Sequence, residues 1–313
     1  MPRILCAMSL AVISAITQMF GLFAVGWLIR RLGYAERSDF DKLSRIAIDF
    51  FFPALIFISL LRDLDLSRLR ELWALPLLGL GMMAFGAACG WLLKRGLQHR
   101  DADTEKSFLH ICAINNYGFL PIFIIENSHP GEMLALFFLF HLGSTIGFWT
   151  IGVLTLDSGD NWRVTLRRLL TPSLLTIPVA IAAACLNAKD WLPVWFQQVL
   201  QKTGALSVPL MIMMIGATVR GGFERERWRD IAYLSVIRVV VLPLVLIALL
   251  NILPLAQDVR FLCTIVALMP AAATAAVMTR IYGGDSEYAA AVTLVTTLAC
   301  IATVPLALHL IAG

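Results

Sequence analysis

The chain has 313 residues, is 59% hydrophobic and only 15% charged, and has a mean hydropathy of +0.81. Soluble globular chains run at about 45–50% apolar and about 25% charged, so the composition excludes a soluble fold and makes the bilayer the expected solvent. The net charge of +4 says little as a bulk property, because in a membrane chain its distribution matters more.

A helix needs about 20 apolar residues to cross the hydrocarbon core. Ten such stretches can be drawn, at roughly 8–30, 44–61, 71–93, 107–126, 132–156, 172–187, 198–219, 231–251, 259–281 and 288–311. The first follows Arg3 but is longer than a signal-peptide core of about 7–15 residues, so a membrane helix is expected there. The second carries Pro53. The fourth is interrupted by Ala113-Ile-Asn115-Asn116-Tyr117-Gly118-Phe-Leu-Pro121, and the fifth holds His141 mid-helix. After it, Asn161-Trp162-Arg-Val-Thr-Leu-Arg167-Arg168 is basic and amphipathic, as expected of a segment lying along the headgroups. The sixth stretch is short, the seventh carries Pro209, and the eighth carries Arg238. The ninth is interrupted by Ala267-Leu-Met-Pro270-Ala271-Ala-Ala-Thr274. The connections leave no room for a soluble domain. The expected fold class is all-α, with ten transmembrane helices and breaks in the fourth and ninth.

Lys and Arg favour cytoplasmic loops. The loops after helices 1, 3, 5, 7 and 9 carry 17 of them, against 6 on the opposite side. That asymmetry puts both termini outside. Arg225–Arg229 then reads as a topology signal, not as a nucleic-acid site. An odd number of helices per half forces the halves into opposite orientations. Spacing agrees with this division: Pro53 to Asn115 is 62 residues and Pro209 to Pro270 is 61, while Asn115 to Ser128 and Pro270 to Gly283 are both 13. Inverted repeats at 1–156 and 157–313 are therefore expected.

Proline in a helix removes a backbone hydrogen bond and clashes with the preceding turn. Unsatisfied backbone is tolerated at membrane depth only inside protein or against a wet cavity. Paired breaks at matching positions of two halves are the pattern of a secondary-transporter binding site, where half-helix N-termini face an anion. The alternative is two separate kinks, each healed by neighbouring hydroxyls or water. Candidate substrate-binding residues are Asn115, Asn116, Tyr117, Gly118, Pro270, Ala271 and Thr274, with Asn115, Pro121 and Pro270 as helix-break residues. Arg238 either attracts a substrate carboxylate or snorkels to the cytoplasmic interface. His141 is either a satisfied core histidine or a proton relay. Asp49 is expected to pair with Arg45 one turn earlier, and Lys202 to snorkel. The six cysteines sit in or beside apolar stretches, without a CxxC pair or metal-spaced Cys/His cluster; free thiols, no metal and no cofactor are expected. An intramembrane enzyme would need a convergent nucleophile and base, and no such motif is present.

Several segments resemble the auxin efflux carrier family. They are Gly204-Ala-Leu-Ser-Val-Pro209-Leu-Met-Ile-Met-Met-Ile-Gly216-Ala217, Leu268-Met-Pro270-Ala271-Ala with Tyr282-Gly283-Gly284-Asp285-Ser-Glu287-Tyr-Ala289-Ala290, Val295-Thr-Thr297 and Pro305-Leu306. Asn115-Asn-Tyr-Gly118-Phe-Leu-Pro121 is similar to the family's Asn…Gly…Pro-Leu pattern, about one residue tighter. The resemblance covers essentially the whole chain and is closest to compact bacterial-type permeases, which are mostly assigned to malate, malonate or similar carboxylates. It implies a non-enzymatic carrier of a small organic anion in a bacterial inner membrane. It also implies scaffold helices 1, 2, 6 and 7, often pairing as a homodimer, and a transport unit of helices 3–5 and 8–10 with helices 4 and 9 crossed. The related bile-acid–sodium symporters share the architecture, so proton or sodium coupling and a non-transporting sensor remain alternatives.

Overall fold

The computed structural model describes residues 2–68, 72–128, 131–156, 170–218, 225–272 and 274–312. Among these residues every regular element is helical, apart from one isolated bridge between two chain segments. The helices are α1 (Pro2–Arg31), α2 (Ser38–Asp63), α3 (Ala74–Gly96), α4 (Ala102–Ala113), α5 (Phe119–Ser128) and α6 (Glu132–Gly152) in the first half of the chain. There follow α7 (Pro172–Cys185), α8 (Val194–Ala217), α9 (Trp228–Ile252), α10 (Gln257–Ala267), α11 (Ala275–Tyr282) and α12 (Ser286–Ala312). Six of them, α2, α3, α6, α8, α9 and α12, are long and apolar enough to cross a membrane. The expected helices 4 and 9 are each present as two short pieces, α4/α5 and α10/α11. The amphipathic segment 161–168 lies in 157–169, outside the described residues.

Local chemistry sets several of these boundaries. Asp101 caps α4 by accepting from the Thr104 amide at 2.9 Å and the Thr104 hydroxyl at 2.7 Å. Partial burial pushes the Asp101 carboxyl up, but the Thr104 bonds outweigh it and hold the group below the usual carboxylate range. Thr171 caps α7 in the same way, with Pro172 in the first turn, where no amide is needed. Pro53 and Pro243 each follow a π turn after one intervening residue, Ala47–Phe51 and Ile237–Val241. The wider turn re-registers the backbone bonds that the proline cannot make. The pairing expected between Arg45 and Asp49 is absent among the described ion pairs, and Asp49 lies in the first of these π turns.

Packing between helices relies on small residues, as it does where lipid removes the hydrophobic contrast. A side chain added at Gly26 would overlap the Met213 carbonyl, and one added at Gly216 would overlap that of Phe23. The main chains of α1 and α8 therefore touch. Gly79 and Gly143 make the same reciprocal approach between α3 and α6. α2 packs on α7 and α8, α3 on α4 and α6, α9 on α10 and α12, and α11 on α12.

Outside this packing, Trp27, Trp91 and Trp228 are exposed beside the basic loops, whereas Trp73, Trp191 and Trp195 are exposed near the other helix ends. Such belts suit the two headgroup levels. Leu77, Val179 and Leu244 are exposed between them.

A polar knot joins the loop ends of α3, α4, α9 and α12. Buried Asp230 accepts from the Gln98 amide at 2.8 Å, the His99 amide at 3.0 Å and the His99 ring at 2.8 Å, while Tyr288 donates to the Asp230 carbonyl at 3.1 Å. Asp285 pairs with Arg227, caps the start of α12 and donates its amide to Ser107 of α4 at 2.7 Å. Gly283 and Gly284 lead into that cap at φ of 91° and 127°, a region that side chains disfavour. The knot fixes three helices, α4, α9 and α12, that reach the site described next.

Candidate functional site

The two breaks meet. α4 ends at Ala113 and α5 begins at Phe119; α10 ends at Ala267 and α11 begins at Ala275. Between them Asn115 and Ala271 form an antiparallel bridge, and the Asn116 amide donates to the Pro270 carbonyl at 2.8 Å. The Asn115 side chain donates to the Val266 carbonyl at 2.6 Å. Four half-helix ends thus converge: negative C-terminal ends of α4 and α10, positive N-terminal ends of α5 and α11.

The interrupted backbone is repaired largely from within. Tyr117 folds back so that its hydroxyl donates to the Ala113 carbonyl at 2.6 Å. The Asn116 side chain accepts from the Gly118 amide at 3.3 Å. On the other break, the Ala271 amide donates to Thr296 Oγ1 at 3.3 Å and Thr293 donates to the Ala272 carbonyl at 3.4 Å. Cys300 Sγ lies 3.8 Å from the Leu268 carbonyl. Thr293, Thr296 and Cys300 share one face of α12 at helical spacing. The sequence reading did not assign them to the site, although that polar spacing on an apolar helix was the available signal.

Arg238 does not snorkel. It is 2% exposed, and its guanidinium donates to the Cys112 carbonyl and to the Met269 carbonyl, each at 3.3 Å. One side chain therefore touches both breaks. Its Nε is buried without a partner, as is Asn115 Oδ1. His141 also reaches the first break. Its ring hydrogen-bonds the main chain of Tyr117, stacks on Phe137 and meets Phe52 edge-on, and its Nδ1 is buried without a partner.

Two expected residues are placed differently. Thr274 is exposed at the start of α11, where its carbonyl accepts from Val277 and Met278, so its side chain does not join the buried crossing. Pro121 is not a break residue. The irregular stretch is Ile114–Gly118, and Pro121 lies in the first turn of α5, where its missing amide costs nothing. Lys202 is exposed on α8, away from the crossing. Asn115, Asn116, Tyr117 and Ala271 are all buried, so the crossing is sealed in this conformation.

A family model described as membrane transport protein matches residues 11–160 and again 161–308, nearly the whole chain. The chain belongs to this family of membrane transport proteins. The membrane transport family includes the auxin efflux carriers that the sequence resembles. The chain is also 25% identical over 290 residues to an uncharacterized transporter of Methanothermobacter thermautotrophicus strain Delta H, covering 91% of this chain and 93% of the relative. With its apolar helices, family membership makes this an integral membrane protein of the transporter class.

Proposed function

We propose that the protein is a secondary carrier of a small organic anion, a carboxylate such as malate, malonate or an auxin-like acid. It would bind the anion at the crossing of α4/α5 and α10/α11 and expose it alternately to each side. The observation that carries this is the contact of the two breaks through Asn115 and Ala271 with a buried guanidinium beside both. Burying a carboxylate needs a compensating charge or dipole. The crossing offers two helix N-termini, the Asn115 and Asn116 side chains and a net positive charge from Arg238. Pro270 and Ala271 keep the second segment narrow enough for the strands to touch, and Tyr117, Gly118 and His141 shape the first.

The packing supports a division of labour. α8 contacts α1 and α2, and α2 contacts α7; these four, linked in series, would form the scaffold, paired as a homodimer. The remaining helices, of which α3, α4, α9 and α12 are tied by the polar knot, would move as the transport unit. The Lys/Arg distribution supports inverted halves with both termini outside. Among the described residues no nucleophile and base converge at the crossing, so a carrier accounts for these residues better than an enzyme does. Counterflow in proteoliposomes tests the reading: vesicles loaded with unlabelled malonate, malate or indole-3-acetate should accumulate the corresponding labelled acid. Absence of exchange for every acid offered would sink it.

A further inference from the structure

The Arg238 guanidinium lies against main-chain carbonyls of both breaks. In carriers with broken helices, unwound carbonyls and half-helix C-terminal ends are the groups that coordinate a sodium ion, while N-terminal ends face the anion. Here the two breaks supply such carbonyls, those of Cys112 near the end of α4 and Met269 just beyond α10. Both accept from the Arg238 guanidinium at 3.3 Å. Two more are taken by side chains of the first break, Ala113 by the Tyr117 hydroxyl at 2.6 Å and Val266 by the Asn115 amide at 2.6 Å. Arginine stays protonated in proteins, so a full positive charge is fixed between the negative ends of both half-helices.

We infer that Arg238 is the built-in cation of the crossing, so that anion exchange requires no alkali-metal ion. This rests on the carrier reading above. It makes Arg238 a positioning residue: its terminal nitrogens hold main-chain carbonyls, which leaves the helix N-termini and the Asn115 and Asn116 side chains to the anion. It also fixes the electrical character of transport. With the compensating charge covalently attached, no alkali-metal charge crosses with the substrate.

The test is counterflow of labelled malonate, malate and indole-3-acetate, with the wild-type protein in phosphatidylethanolamine–phosphatidylglycerol vesicles. It is run in sodium medium and in N-methyl-D-glucamine medium of equal ionic strength. The expected result is exchange that differs by less than about twofold between the media, because the carbonyls that would bind sodium are already occupied. Exchange in sodium medium that falls by more than this in N-methyl-D-glucamine overturns the inference and leaves the carrier intact. No exchange in either medium removes the carrier reading and this inference with it. Arg238→Gln should cut exchange by about tenfold or more, as loss of charge-assisted hydrogen bonds implies. Arg238→Lys, which keeps the charge, should cut it less. Equal rates for the glutamine variant and wild type would also overturn the inference. Should the glutamine variant fail to fold, the comparison of media on wild-type protein decides alone.

Discussion

Replacing Asn115 with alanine separates a functional crossing from a merely structural one. The change deletes the bond from Nδ2 to the Val266 carbonyl, which contributes about 0.5–1.5 kcal/mol net. It leaves a void of about 25 Å³, costing roughly 0.6 kcal/mol at ~24 cal/mol per Å³. It also removes Oδ1, a buried acceptor without a partner, whose desolvation costs about 1–3 kcal/mol. Loss and gain nearly cancel, so Asn115→Ala should change stability by no more than about 1 kcal/mol, a few degrees in Tm for a chain of this size. The main-chain bridge to Ala271 needs no asparagine and should persist. Transport should respond differently. If the side chain contacts a charged substrate, its loss corresponds to about 1.5–3 kcal/mol of binding, tenfold or more in exchange at limiting substrate. The assays are thermal unfolding in detergent and malonate, malate and indole-3-acetate counterflow on the same preparation. A large fall in Tm, or a stable protein that exchanges at the wild-type rate, would refute the reasoning.

Three further outcomes are expected. Asn115→Cys combined with Ala271→Cys, in a background cleared of native thiols, should form a disulfide on mild oxidation, because bridged residues lie within the Cα range that a disulfide spans; cleavage between α6 and α7 followed by gel analysis reads it, and two fragments that always separate would mean that the breaks do not touch. Gly143→Ala should destabilise the protein by about 1–3 kcal/mol through overpacking against the Pro76 carbonyl, whereas Gly81→Ala, with nothing within 4 Å of the added carbon, should be neutral or stabilising; equal Tm values for the two variants would contradict the α3–α6 contact. A reporter fused after Gly313 should be active on the outer side only, as the distribution of Lys and Arg requires; a cytoplasmic signal would refute the ten-helix topology with both termini outside.

Much of the fold was legible because the membrane simplifies the code. Apolar runs of fixed length locate α2, α3, α6, α8, α9 and α12, and interruptions within two other runs locate the breaks. That the breaks touch was legible only as a spacing argument, since the pairing of Asn115 with Ala271 joins residues 156 positions apart. The fate of Arg238 was not legible at all. Its depth along α9 suited both snorkelling and burial, and the choice depends on which carbonyls the neighbouring helices bring within reach. Pro121 misled for a related reason: proline marks irregular backbone, but in a first turn it marks where a helix starts again. Thr293, Thr296 and Cys300 went unassigned because hydroxyls and thiols on a membrane helix usually satisfy their own backbone. Here Thr296 does so, at 2.8 Å to Val292, while also receiving the Ala271 amide.

The seam between α1 and α8 has a mechanical consequence. At Gly26 and Gly216 the two helices meet main chain to main chain. A joint made of side chains can absorb a push by changing rotamers; a joint without them has no such slack. Either helix, when pulled, drags the other by the same distance, and a bulky residue drifting past the contact would jam it. The pair therefore behaves as a single stiff plank, and any stroke this protein makes must be taken up along some other, better-cushioned boundary.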